Sequence, residues 1–232
     1  MATKEGLLIS FDGLDSSGKA TQTKQIIKKL QECDHNVLLL QTPDYDTPSG
    51  QELKKRLQNK IGNWQETPWQ EKLGYFSNNR AEHKQEVLGA LKQGSVVVYD
   101  RYIPSSLAFM TIEALEDDSV SREDVHQAVQ SEEYDTNGMP KEHISIFLDV
   151  PPKVAGALLS KRKVENNDED EYTDHISVQE RLYAEYEVMC AMYPERFLRV
   201  KCLKDDALLG IEETTQLIWD GLTQKFPQLT KK

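Results

Sequence analysis

Residues Gly13 to Thr21 read GLDSSGKAT, two glycines with four residues between them and a lysine directly after the second. That spacing suits a loop wrapped around a phosphate. Glycine lets the backbone close on the anion, the amides at the start of the next helix point inward, and the helix dipole favours negative charge. Lys19 then brings a mobile ammonium to the outer phosphates of a nucleoside triphosphate. The context fits, because an apolar run precedes the loop and a helical pattern follows it. Gly13, Ser16, Ser17, Gly18, Lys19, Ala20 and Thr21 are therefore the candidate phosphate-binding residues. The competing reading is a glycine-containing strand–helix turn whose lysine is merely solvated.

Ala20 stands where a Ser or Thr hydroxyl could ligate magnesium. The amides of Ala20 and Thr21 do not depend on their side chains, so the cradle survives and one metal ligand is lost. Thr21 is a poor substitute, since one residue rotates a helical side chain by about 100°. Magnesium commonly keeps several waters and needs only one or two carboxylates besides substrate phosphates, so a weaker or more hydrated site is expected. Asp15 inside the loop and Asp100 at the end of the run VVVYD are the candidate metal residues. A turn or helix cap is the alternative role for Asp100.

Trp69, Leu73, Phe76, Arg80, His83, Val87 and Leu91 follow one helical face, which Arg80 and His83 interrupt with polar groups. Phe76 and Arg80, at i and i+4, present a ring and a guanidinium side by side. The alternative is a core Phe beside an Arg paired to a structural carboxylate.

These residues need a scaffold, and five short apolar runs supply one: Leu7–Asp12, Val37–Gln41, Ser95–Asp100, Ile144–Val150 and Phe197–Cys202. They are nearly continuous rather than alternating, as in strands buried on both faces of a parallel sheet. Helical patterns lie between them, through Thr23, Ile26, Ile27, Leu30 and Cys33, through Val178, Leu182, Tyr186, Met189 and Tyr193, and through Ile211, Ile218 and Leu222. Alternation of this kind predicts a three-layer α/β fold. Lys161–His175 passes from basic to strongly acidic with almost no apolar side chains, and reads as an exposed loop or as a lid over substrate. The polar stretch from Glu113 to Glu133 reads as a solvated helix face.

The chain has 232 residues, enough for one substantial domain. Lys plus Arg number 28 against 39 Asp plus Glu, a net charge of −11 that argues against a polymeric nucleic-acid partner. Three dispersed cysteines suggest neither a disulfide framework nor a zinc site. No apolar run approaches the ~18 residues of a membrane span, and a cytoplasmic location without membrane partners is expected.

With FDGLDSSGKATQTK, NNRAEH, YDRYIPSS and FLDVPP in that order, the chain resembles the thymidylate kinases of the nucleoside-monophosphate kinase superfamily over almost its whole length. The resemblance implies a five-stranded parallel sheet in order 2-3-1-4-5, flanked by helices, with a short lid at about 161–175. It also implies transfer of the γ-phosphoryl of ATP to dTMP with Mg2+, by a homodimer. Residue by residue, Lys19, Asp15, Arg101 and Arg162 would be catalytic, with Arg162 as the lid donor. Arg101 would meet the acceptor monophosphate, where a planar fork suits phosphate oxygens. Asp15 would reach the deoxyribose or the metal, and Tyr45 the acceptor phosphate. Phe76 and Arg80 would hold thymine, with Ser105 and Phe109 along the base pocket. The chain departs from many relatives in Ala20, in Met110 where many bacterial members have Gln, and in Ser16 and Ser17 where some carry a loop Arg. It also lacks the basic residue that several relatives place near Tyr45, and carries an acidic run from Asp168 to Glu171. A deoxynucleoside kinase and a catalytically silent nucleotide-binding module are the rival readings.

Overall fold

The computed structural model describes residues 6–166 and 176–230, with only the backbone of 161–166 included. Most of the lid segment, 161–175, and the Arg162 side chain lie outside the described residues. Five parallel strands form the central sheet: β1 (Leu7–Asp12), β2 (Val37–Gln41), β3 (Val96–Asp100), β4 (Ile144–Asp149) and β5 (Phe197–Lys201). Their order is β2-β3-β1-β4-β5, as the resemblance implies. β1 is central, with Ile9 beside Val98 on one neighbour and Ile144 on the other. Every residue of β1 and β4 is buried, which is why both read as unbroken apolar runs. β2 differs from the expectation of burial on both faces. It is an edge strand, half-covered, and Leu39 is exposed.

The flanking helices are α1 (Lys19–Glu32), α2 (Pro48–Leu57), α3 (Trp69–Ala81), α4 (Lys84–Lys92), α5 (Ile103–Ala114), α6 (Arg122–Gln130), α7 (Pro152–Asn166), α8 (Ile176–Met192) and α9 (Ile211–Lys225). The expected faces are the buried ones: Thr23, Ile26 and Leu30 of α1, Leu182, Tyr186 and Met189 of α8, Ile218 and Leu222 of α9. Each such aliphatic side chain contributes about 1.5–3 kcal/mol by leaving water. Ile211, at the first turn of α9, is exposed instead.

Two further sequence expectations change. The stripe from Trp69 to Leu91 belongs to two helices, α3 and α4, separated at Glu82 and His83. His83 leaves the helical path and bonds Asp44 Oδ2 at 3.0 Å. The stretch from Glu113 to Glu133 is not simply a solvated face. Ser121 caps α6 by accepting from the Asp124 amide at 3.2 Å and donating to its carboxylate at 2.6 Å. Val125, His126 and Val129 of α6 are buried, and a π-helical turn, Ser131–Thr136, continues the helix with Glu133 fully buried.

The carboxyl ends of β1 and β3 are where the sheet delivers its chemistry. β1 runs directly into the glycine loop, and β3 ends in Asp100 with Arg101 next. Ligands of open parallel sheets bind in the crevice outside those ends.

Candidate active site

The loop after β1 turns through three left-handed or extended-positive residues, Gly13 at φ 132, Ser16 at φ 55 and Gly18 at φ 95. Positive φ is costly for a residue with a β-carbon, so Ser16 is held there by its surroundings. Such turns aim successive amides into one concavity. Gly18 precedes α1 with no side chain capping the helix, and a β-carbon built at Gly18 would meet nothing within 4 Å. The helix mouth thus opens onto space rather than protein. Ser16 Oγ and Ser17 Oγ are buried without hydrogen-bond partners. Orphaned hydroxyls at an uncapped helix start are what an anion would satisfy.

Lys19 folds back over this loop, its Nζ donating to Gly13 O at 3.1 Å and Leu14 O at 2.6 Å. Burial pushes its pKa from the ordinary 10.5 down to about 8; Arg101 adds repulsion, and Asp15, Asp100 and Asp12 pull the other way. The ammonium is therefore held in a site that penalises its charge, and an incoming polyanion removes that penalty.

Arg101 is the second cation. Its backbone also lies in the left-handed region, at φ 64, with its amide bonded to Phe11 O at 2.9 Å. The guanidinium pairs with the Asp15 carboxylate and donates to Gly13 O at 3.1 Å. Burial alone would lower its pKa, but Asp15 foremost, with Tyr186, Asp100 and Asp12, raises it, so Arg101 stays charged. Asp15 is also engaged by Gln179 of α8, which accepts from its amide and donates to its carboxylate, both at 3.3 Å. The Phe109 ring lies under the Arg101 guanidinium at 5.7 Å.

Beneath the two cations sits Asp12, fully buried. Its Oδ2 accepts from Ser10 Oγ at 2.6 Å and Ser145 Oγ at 2.7 Å, and its Oδ1 from Ser105 Oγ at 2.6 Å and the Tyr102 amide at 3.3 Å. Ser105 also meets Tyr186 Oη at 3.1 Å, so its hydroxyl belongs to this buried network. A carboxylate that accepts from four donors is fixed in place, a floor beneath Lys19 and Arg101. Asp100 is different: among the described residues nothing hydrogen-bonds its half-buried carboxylate.

On the other side of Arg101, α3 and α5 frame a second region. Phe76 meets Trp64 edge-on at 6.0 Å between ring centroids. Arg80 is buried, its Nε donating to Glu133 Oε2 at 3.1 Å and its Nη2 to Glu133 Oε1 and to Ser106 Oγ, both at 2.6 Å. Burial opposes the charge, but Glu133 more than offsets it and the pKa rises. The Tyr102 ring lies 5.5 Å from the guanidinium. Asn79, adjacent to Arg80, pins the loop that carries Tyr45. It accepts from the Asp44 amide at 2.8 Å and donates to Asp44 O at 3.1 Å and Thr47 Oγ1 at 2.9 Å. Lys54 Nζ stands 5.4 Å from the centre of the Tyr45 ring, so a cation does accompany Tyr45, supplied by α2. Met110 packs into the hydrophobic core.

The structure thus brings Gly13, Asp15, Lys19, Asp100 and Arg101 to one end of β1 and β3, with Ser105 and Phe109 against Arg101. Phe76 and Arg80 stand together on α3, with Arg80 reaching α5. Four residues are given no role by the sequence: Asp12, Asn79, Glu133 and Gln179. Asp12 and Asn79 lie within the motifs FDGLDSSGKATQTK and NNRAEH, Glu133 closes a polar stretch, and Gln179 leaves no trace.

A parallel sheet of this order, with a lysine-bearing phosphate loop between its central strand and first helix, defines a phosphate-loop nucleotide-dependent phosphotransferase. Comparison with known proteins makes the assignment specific. The family model described as thymidylate kinase matches residues 11–200. A thymidylate kinase of Geobacter sulfurreducens is 28% identical over 229 residues, covering 96% of this chain and 99% of its own length. One from an Exiguobacterium species is 25% identical over 230 residues, covering 95% and 99%. The Plasmodium falciparum thymidylate kinase is 37% identical over 109 residues, 46% of this chain and 49% of its own. A solved Candida albicans thymidylate kinase shares the fold with a TM-score of 0.72 at 24% identity, covering 95% of this chain and 92% of that one. The chain belongs to the thymidylate kinase family.

Proposed function

We propose that this site carries out the thymidylate kinase reaction, transfer of the γ-phosphoryl of ATP to the phosphate of dTMP, with Lys19 on the donor side and Arg101 on the acceptor side. The observation that carries the reading is the convergence of both cations, over Asp12 and Asp15, at an uncapped helix mouth lined by orphaned Ser16 and Ser17 hydroxyls. The loop amides and these hydroxyls hold the donor phosphates. Lys19 exchanges its two carbonyl partners for phosphate oxygens. Arg101, kept in place by Asp15 and Gly13 O, offers its planar fork to the acceptor phosphate. That acceptor is already an anion, so no strong general base is needed, and alignment plus charge stabilisation carry the catalysis. Phe76 and Arg80 hold the thymine, Tyr45 faces the acceptor phosphate, and Ser105 and Phe109 support Arg101 from below. The family resemblance further assigns Arg162 and a lid at about 161–175, whose side chains lie outside the described residues, to the transferring group, within one domain spanning 1–232.

Magnesium belongs to the same proposal. Among the described residues no group of three or more His, Cys, Asp or Glu side chains could hold a metal alone, which suits an ion that arrives on the nucleotide phosphates. The unbonded carboxylate of Asp100, with Asp15, fits such an ion or its waters, and Ala20 leaves the remaining position to water. Bound magnesium would neutralise part of the charge on the phosphate chain. The homodimer and the cytoplasmic location are proposed on the family likeness. No helix among the described residues is long and apolar enough to cross a membrane.

The test is ADP release with dTMP or thymidine as acceptor. ADP formation with dTMP and none with thymidine supports the reading. Preference for thymidine would assign a deoxynucleoside kinase, and no ADP with either at any magnesium concentration a silent binding module.

A further inference from the structure

Arg80 and Glu133 are each a charged residue on the apolar face of its own helix. Arg80 lies four residues after Phe76 on α3. Glu133 continues the i, i+4 row of the buried Val125 and Val129 beyond α6. The two meet in the interior, where Arg80 is 1% and Glu133 0% exposed. A buried ion pair is no better for stability than an apolar pair of the same volume, so stability does not account for it. Its geometry offers another account. Glu133 grips the Nε–Nη2 edge of the guanidinium with both oxygens, Ser106 takes Nη2 from the side, and Tyr102 lies against the group. Nη1 is the corner of the fork with no hydrogen-bond acceptor among the described residues.

The carboxylate reaches this position from the π-helical turn, where the Asn137 amide bonds Glu132 O at 2.9 Å and the Met139 amide bonds Glu133 O at 3.0 Å. Turns of this kind occur often at functional sites. An arginine clamped along one edge has a fixed plane and keeps its Nη1 amino corner for a further acceptor, whereas an unclamped one samples several rotamers and can swing away from a neighbouring donor.

We propose that Glu133 is a positioning residue for the acceptor base. By fixing Arg80 it presents one N–H corner to a ring carbonyl and disfavours a base that carries an amino group at the same place. This rests on the reading of Arg80 as a base-contacting residue. The experiment compares KM and kcat for dTMP and for dCMP in wild type, Glu133→Gln, Glu133→Asp and Arg80→Met, each checked by circular dichroism and thermal unfolding. Gln keeps one acceptor but turns an amide donor toward the guanidinium. Asp keeps the charge but is one methylene too short to hold both nitrogens.

For Glu133→Gln the expected result is a KM for dTMP raised about tenfold, as for one lost well-placed hydrogen bond, with kcat within about threefold of wild type. The dTMP-over-dCMP preference should fall by a similar factor. Glu133→Asp should move the same way by about threefold, and carries the test if the Gln variant does not fold. A purely structural role predicts a smaller active fraction, that is, lower apparent kcat at unchanged KM and unchanged preference. That outcome in the folded Glu133 variants, with Arg80→Met raising the KM for dTMP, would overturn the proposal and leave the Arg80 reading intact. An unchanged KM in Arg80→Met would remove the reading on which the proposal rests.

Discussion

Replacing Lys19 by methionine should stabilise the nucleotide-free protein while nearly abolishing turnover. The ammonium is buried, and burial first, Arg101 second, bring its pKa from 10.5 to about 8. At ~1.4 kcal/mol per pH unit, the charged form is disfavoured by about 3 kcal/mol relative to water. Methionine has nearly the same length without the charge. It strands no acceptor, because Gly13 O keeps Arg101 Nη1 at 3.1 Å and Leu14 O keeps the Ser17 amide at 3.3 Å. Allowing for the two weakened carbonyl contacts, the net gain is about 2 kcal/mol. In a chain of this size that raises Tm by roughly 4–8 °C.

The sign of the pH dependence follows. Between about 8 and 10.5 the unfolded chain holds a proton that the folded protein has released, so wild-type stability rises with pH through that window. The advantage of Lys19→Met is therefore largest below pH 8 and shrinks toward pH 10.5. Saturating ATP should reverse the ranking, since binding at 100 times Kd adds about 2.7 kcal/mol to wild type and much less to the variant. Turnover should fall by about 10²–10³, the usual loss for one well-placed donor. Differential scanning calorimetry across pH 7 to 10, with and without ATP, measures each part. A nucleotide-free Lys19→Met protein less stable than wild type at pH 7 would refute the reasoning.

Other expectations concern neighbouring groups. Arg101→Ala should lower turnover by about 10²–10³ with the circular dichroism spectrum unchanged, because the charge is lost from the proposed acceptor-phosphate site. Asp12→Asn turns an NH2 toward a ring of donors and should cost about 3 kcal/mol, read as a lower urea midpoint. Ala20 is exposed, so Ala20→Ser is accommodated; the added hydroxyl should reduce the magnesium concentration for half-maximal rate about fivefold, an effect of ~1 kcal/mol.

What the sequence made visible was whatever depends on local chemistry. The strand runs, the glycine loop, Lys19 and Asp100 follow from short segments whose periodicity or spacing points to strands and a phosphate site, and Arg101 follows from the family resemblance of YDRYIPSS. What it hid depends on partners far along the chain. Gln179 stands 164 residues from Asp15, and nothing in SVQER marks it as the group that holds the loop. Glu133 looked like one more charge in a polar stretch, because only the meeting of α3, α5 and the π-helical turn buries it. The break at Glu82 and His83 is masked since an apolar stripe can continue across two helices in register. The edge position of β2 was equally invisible, because Val-Leu-Leu-Leu reads alike in a central strand and at an edge that packs on one side.

The central claim is that the amides at the mouth of α1, with Lys19, hold ATP for transfer to a nucleoside monophosphate despite Ala20. Isothermal titration calorimetry of wild type and Lys19→Met with a non-hydrolysable ATP analogue and excess magnesium addresses it most directly. Saturable binding by wild type, weakened at least about tenfold in the variant, is the predicted result. No heat with folded wild-type protein, or equal affinity in the two, would contradict it.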